Sequence, residues 1–257
     1  MYGKNYGYMS SLNKAMEFHL KLKSKYLLDT YKLKKGNSVL DIGSNDGTFL
    51  NCFSKKVLKF GVDPTAKKFR KYYKKDIKIK DSLFKNNLFN KKIKFKLITS
   101  IAMFYDLSDP RKFCKTAGEY LDPEGIFHIE IAYLPDILRK FSFDTFCQEH
   151  LTYYSFLSFK YLIDQTPFKI IDFSRNSING GSINFNLAFK NSKWSPKQKK
   201  IYKILLNEKK IKIHHPQTYK NYFKKIKVNS NKIHNLLTKL KNKNKKIFAM
   251  GASTKGN

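Results

Sequence analysis

Apolar residues along this chain recur in two rhythms, and the switching between them predicts the architecture. Short apolar runs at 38–42, 58–62, 77–79, 96–101 and 126–132 read as strands. Between them lie amphipathic stretches at 47–55, 65–73 and 109–121 that read as helices, the last closed by Asp122-Pro123-Glu124-Gly125, residues that stop a helix and start a strand. Strand and helix taking turns imply a parallel, doubly wound α/β sheet. A helix is expected at 155–164, and then strands at 168–173 and 182–189 flank Asn179-Gly180-Gly181, the signature of an antiparallel hairpin. Five parallel strands and a closing hairpin make seven. Ahead of them the chain looks helical to about Thr30, with Leu12, Met16, His19 and Leu20 near helical spacing after the aromatic opening of Tyr2, Tyr6 and Tyr8.

Beyond residue 190 the pattern changes. Trp194-Ser195-Pro196 announces a new helix, Lys-rich helical stretches fill about 196–242, and Lys246-Ile247-Phe248-Ala249-Met250 reads as a buried strand running into the small-residue turn Gly251 to Asn257. Four segments follow: an N-terminal helical segment at 1–33, the doubly wound domain at 34–191, a helical connector at 192–243, and at 244–257 the start of a second α/β unit.

The most informative residues are Val39 to Leu50, a buried strand, a tight turn and a helix start. The turn offers Gly43 and Gly47 with Asn45 between them, so it lacks the G-x-G-x-x-G that a dinucleotide pyrophosphate requires. Asn tolerates a left-handed backbone, so the turn still forms. Sixteen residues on, Phe60-Gly61-Val62-Asp63-Pro64 ends a second strand in a carboxylate suited to the two hydroxyls of a ribose. A sulfonium amino acid brings no phosphate and asks for backbone contacts and an acidic neighbour, here Asp41, so loop and carboxylate together point to S-adenosylmethionine rather than NAD. The loop alone would suit any doubly wound protein. The cofactor-binding set expected is Asp41, Gly43, Ser44, Asn45, Gly47, Asp63 and Pro64, with Asp81 and Ser82 after the third strand and Ser100 and Ile101 after the fourth.

Composition argues for a different partner. With 52 Lys+Arg against 19 Asp+Glu, a formal charge of +33 favours polyanions. Arginine, however, appears only at Arg70, Arg111, Arg139 and Arg175. Arg is the residue that reads bases and clamps phosphates bidentately, and the abundant Lys, Asn, Ile, Phe and Tyr share A/T-rich codons. A solvated, compositionally biased surface is therefore weighed above dedicated nucleic-acid binding. No apolar run has membrane-spanning length and the N-terminus has no apolar signal core, which points to the cytoplasm. Cys52, Cys114 and Cys147 form no C-x-x-C pair, so neither a disulfide framework nor a metal site is indicated.

Candidate chemistry clusters after the fifth strand, in Phe143 to Tyr154, where loops at the C-terminal strand ends reach over the cofactor. His150 is the natural general base near neutral pH, with Glu149 beside it. The same pair suits capping of the next helix, and both readings stay open here. His128 reads as a packed or edge histidine, His214-His215 as solvent-facing, and His19 and His234 as helix residues without a special role.

Five blocks, namely Asp41 to Asp63, Thr99 to Leu107, Asp144 to Ser155, Asn179 to Ser182 and Gly251 to Asn257, resemble in order and spacing the sugar C-methyltransferase family. The resemblance implies a class I methyltransferase Rossmann-like core, S-adenosylmethionine as cofactor and a nucleotide-linked keto-deoxysugar as substrate. It further implies that His150 removes a proton next to the keto group, that Glu149 assists substrate binding or polarises the histidine, and that Tyr8 contacts the sugar or the enolate. The family's cysteine-rich zinc domain has no counterpart ahead of Tyr6-Gly7-Tyr8-Met9-Ser10-Ser11, and the chain stops inside the family's second Rossmann-like domain. Cys147 stands where some members place Tyr, and Phe104-Tyr105 where others show histidine. Methylation of an oxygen instead of a carbon, and a basic nucleic-acid-binding protein, are the alternatives.

Overall fold

A computed structural model describes residues 3, 6–90 and 92–249 of the chain. Seven strands form one sheet in the order β3-β2-β1-β4-β5-β7-β6: β1 Ser38–Ile42, β2 Leu58–Val62, β3 Ile77–Lys80, β4 Phe95–Ile101, β5 Leu121–Ala132, β6 Phe168–Asn176 and β7 Ser182–Phe189. Only β7 runs against the rest, pairing antiparallel with both β5 and β6. Strands buried on both faces read as nearly continuous apolar runs, and β1 and β4 follow that rule.

Helix α1, Lys14–Thr30, covers one face and starts where the Asn13 side chain accepts from the Ala15 and Met16 amides. Its Leu20 and Leu27 pack with Val39, Leu97 and Ile126. The other face carries α3, Pro110–Tyr120, and α5, Phe156–Asp164, whose Phe113 and Phe159 join Leu40, Ile98, Phe127 and Phe185 in the larger core. Asp109 caps α3, and Ser155 caps α5 in a reciprocal box with Ser158.

Two predicted helices are shorter than the pattern suggested. The stretch 47–55 yields only α2, Thr48–Asn51, because the Asn51 side chain leaves the helix to bond the Tyr72 carbonyl and the Lys74 amide. The stretch 65–73 yields turns and a 3-10 helix at Arg70–Tyr72. There the Asp63 carboxylate fixes the Thr65 amide and hydroxyl at one end, and Tyr73 is drawn beneath the β1 loop at the other.

The helices after the sheet are α4, Leu134–Lys140, between β5 and α5, then α6, Gln198–Lys210, and α7, Pro216–Asn242. Ile201 and Ile204 of α6 enter the larger core. Buried Glu208 takes the Phe156 and Leu157 amides at the start of α5, at 2.6 and 3.0 Å, and the Tyr133 hydroxyl at 2.8 Å. Residues 246–249 form no strand, and Phe248 is 88 % exposed. A strand needs a partner for its backbone groups, and no described strand pairs with this segment. The expected turn Gly251 to Asn257, Met250 and Tyr2 lie outside the described residues. No helix among the described residues is long and apolar enough to cross a membrane.

Candidate functional site

The parallel strands deliver the candidate residues to one edge of the sheet. Asp41 is the penultimate residue of β1, Asp63 follows β2, Asp81 and Ser82 follow β3, and Ser100 and Ile101 end β4. The loop after β1 is built on left-handed backbone: φ is +78° at Gly43, +49° at Asn45 and +78° at Gly47. A side chain at Gly43 would come within 3.0 Å of Met103, and one at Gly47 would meet the Tyr73 ring at 2.5 Å. Tyr73 supports the loop from below, its hydroxyl reaching the Ser44 hydroxyl at 2.8 Å and the Asn45 carbonyl at 2.7 Å.

Asp41 and Asp63 are both buried, and both have protein partners. Asp41 accepts the Thr99 hydroxyl at 2.6 Å; burial drives its carboxyl up to about 7, against the Thr99 bond and helped by the charge of Asp63. Asp63 receives the Asn45 amide at 2.8 Å on one oxygen and the Thr65 amide and hydroxyl on the other. In this structure its evident task is to clamp the loop and the turn together. Pro64 beside it is buried, Asp81 is exposed and Ser82 is partly exposed. The Ser100 hydroxyl is buried without a hydrogen-bond partner among the described residues.

The N-terminal segment lies across this loop. The Ser10 amide donates to Asn45 Oδ1 at 3.1 Å, the Ser11 amide to Asp46 Oδ2 at 2.9 Å, and the Asn45 side-chain amide to the Tyr8 carbonyl at 2.9 Å. The hydroxyl of Tyr8 is raised by burial and then by Asp46. That of Tyr6 is pushed up to about 12 by burial and then by Glu149, Asp106, Tyr8 and Cys147.

Glu149 and His150 sit in a tethered loop. The Thr152 amide bonds the Tyr105 carbonyl at 3.1 Å, the His150 amide bonds the Cys147 carbonyl at 3.2 Å, and the Cys147 amide bonds the Tyr153 hydroxyl at 3.2 Å. Left-handed Ala102, φ +55°, turns the chain after β4 and brings Tyr105 beneath His150, with ring centroids 4.2 Å apart. The capping alternative is now closed. Helix α5 is capped by Ser155 and by Glu208, leaving Glu149 and His150 without that role.

A polar column beneath α1 gives His19 and His128 a setting the sequence reading missed. Lys23 of α1 is buried, and its ammonium meets Glu130 of β5, Asn184 of β7 and, at 3.2 Å, Nε2 of His128. An ammonium has only protons to give, so His128 Nε2 accepts and Nδ1 carries the proton donated to Asn186 Oδ1 at 2.6 Å. His19 Nε2 reaches both Glu130 oxygens at 3.0 Å. Burial, then Lys23, lowers the His128 pKa to about 3. Glu130 falls to about 2 because, against burial, Lys23 and His19 favour its charge. The signal was present in alternation: His128 and Glu130 on one strand stand opposite Asn186 and Asn184 on the next. Among the described residues no group of three or more His, Cys, Asp or Glu side chains could hold a metal ion. His214 and His215 are exposed, the latter accepting the Gln217 amide at the start of α7.

Two family models match the chain. The family model described as methyltransferase domain matches residues 15–172, and that described as C-methyltransferase C-terminal domain matches 177–257. The C-methyltransferase NovU of Streptomyces niveus is 23 % identical over 184 residues, covering 70 % of this chain; the chain spans only 44 % of NovU. Two solved structures share the fold. The methyltransferase in complex with the Trm112 activator of Haloferax volcanii superposes with a TM-score of 0.56 at 16 % identity, covering 69 % of this chain and 94 % of its own. The plantazolicin methyltransferase BpumL in complex with SAH gives 0.52 at 13 % identity, covering 69 % and 87 %. With more than half of its length matched by the first model, the chain belongs to the methyltransferase-domain family.

Proposed function

We propose that this chain transfers a methyl group from S-adenosylmethionine to a carbon next to a keto group on a nucleotide-linked deoxysugar. The observation that carries the reading is the tethering of the Glu149-His150 loop to Tyr105 just after β4, while the N-terminal segment bonds the Gly43 to Gly47 loop after neighbouring β1. The donor's site fits these residues. Gly43 keeps the backbone bare where it nears Met103, and the buried Ser100 hydroxyl at the end of β4 lacks a partner among the described residues. Asp41, Gly43, Ser44, Asn45 and Gly47, with Asp63, Pro64, Asp81, Ser82, Ser100 and Ile101, would hold it. When bound, it supplies an electrophilic methyl on sulfur, so the protein's work is positioning and proton removal.

His150 takes the proton that the keto group acidifies. Its ring packs on the Tyr105 ring and its amide bonds the Cys147 carbonyl, contacts that orient it. Tyr6, protonated at neutral pH with its hydroxyl near 12, donates a hydrogen bond to the oxygen on which negative charge develops. Glu149 holds the sugar hydroxyls, and Tyr8 lines the boundary between donor and acceptor. The likeness to the C-methyltransferase NovU supports the carbon reading.

Replacing His150 by Asn is expected to lower kcat by at least about 100-fold while binding of S-adenosylhomocysteine is unchanged. Unchanged turnover would remove His150 from the mechanism. Proton and carbon NMR of the product decides the acceptor: a new C–CH3 resonance is expected, and an O–CH3 resonance would replace this reading with transfer to oxygen.

A further inference from the structure

Helix α1 buries Met16, Leu20, Lys23, Ser24 and Leu27, a stripe in which Lys23 alone is charged and Ser24 gives its hydroxyl to the Lys21 carbonyl. The three protons of Lys23 find three acceptors, Glu130, Asn184 and His128, each on the sheet. Glu130 is finished by His19, one turn earlier on the same helix, and by the Asn176 side chain at 3.3 Å. Desolvating such an ion pair costs several kcal/mol, and an apolar pair of similar volume often packs as well or better. An apolar stripe on a sheet specifies contact but not register. A satisfied buried ion pair permits one register only.

That register has a consequence at the other end of the helix. The 3-10 turn Ser10–Leu12 leads into α1 through the Asn13 cap, and the Ser10 and Ser11 amides meet Asn45 and Asp46 in the glycine loop. A helix displaced along the sheet would carry those amides off their acceptors. We propose that Lys23, Glu130 and His19 are positioning residues for cofactor binding: they set α1 so that the Tyr8 to Ser11 strap closes over the Gly43 to Gly47 loop.

The proposal rests on the cofactor reading, and the test separates the two. The variant Lys23→Met/Glu130→Gln removes both charges and leaves no lone buried ion, while Ser11→Pro removes the strap amide that reaches Asp46. Calorimetry with S-adenosylhomocysteine is expected to show about tenfold weaker binding for the double variant, the scale of one lost strap hydrogen bond. Ser11→Pro should weaken binding similarly, and combining all three changes should add little, because strap and network act on one event. A purely structural network would lower the melting temperature yet leave affinity intact or give additive losses, and either result overturns the proposal. Should the unmodified chain not bind S-adenosylhomocysteine, the cofactor reading fails, and amide exchange decides the network alone. Ser10 and Ser11 amides protected in the parent and fast in the double variant support it; equal protection overturns it. His19→Ala, at the partly exposed edge of the network, gives the same amide readout if the double variant does not fold.

Discussion

At the scale of residues, two buried groups titrate in opposition. His128 has its pKa lowered from 6.5 to about 3, so on acidification the unfolded chain takes a proton that the folded chain refuses, and stability falls as pH drops from 6.5 towards 3. Asp41 has its pKa raised from 3.8 to about 7, so its contribution is complete below pH 3.8 and is lost as pH rises to 7. Each contributes about 1.4 kcal/mol per pH unit, with opposite sign, over the shared window of 3.8 to 6.5. Stability should therefore be nearly flat there. Asp41→Asn, which keeps an acceptor for Thr99, should unmask a rise in unfolding free energy with pH, and urea titrations at a series of pH values measure it. Below pH 4.5 the Glu130 contribution is lost as well, since its carboxyl titrates at about 2 in the fold.

At the scale of elements, the glycine loop and the α5 N-terminus are the least tolerant places. Gly47→Ala forces a side chain into left-handed backbone and into the Tyr73 ring; a loss of about 2 kcal/mol or more is expected in urea denaturation. Glu208→Ala orphans two amides and the Tyr133 hydroxyl, and should cost about 3 kcal/mol by the same measurement. The second result would also show that α6 is integral to the methyltransferase domain, as the burial of its Ile201 and Ile204 implies. Short elements such as the turns at 65–73 depended on single side chains reaching across the loop, which is why helical periodicity overestimated them.

At the scale of the whole molecule, a formal charge of +33 makes self-repulsion the dominant long-range term. Added salt screens it, so the melting temperature should rise between about 20 and 500 mM NaCl, where charge-paired surfaces would weaken. A fall would show that local ion pairs such as Lys197 and Lys200 with Asp172 outweigh the net charge.

The sequence by itself determined the strand order's ingredients and the edge proposed to hold the cofactor, because each rests on local pattern: apolar runs of strand length, Gly43 and Gly47 where the backbone turns left-handed, and Asp63 at a strand end. It also held Glu149 and His150 as candidates. Tertiary structure alone decided what surrounds them. Ser155 and Glu208 took the capping role, and Asp63 turned inward to clamp the loop. His19 and Glu130 meet across 111 positions, Lys23 and His128 across 105. No local periodicity encodes such a meeting, because it depends on which helix face lies against which strands after the sheet has formed.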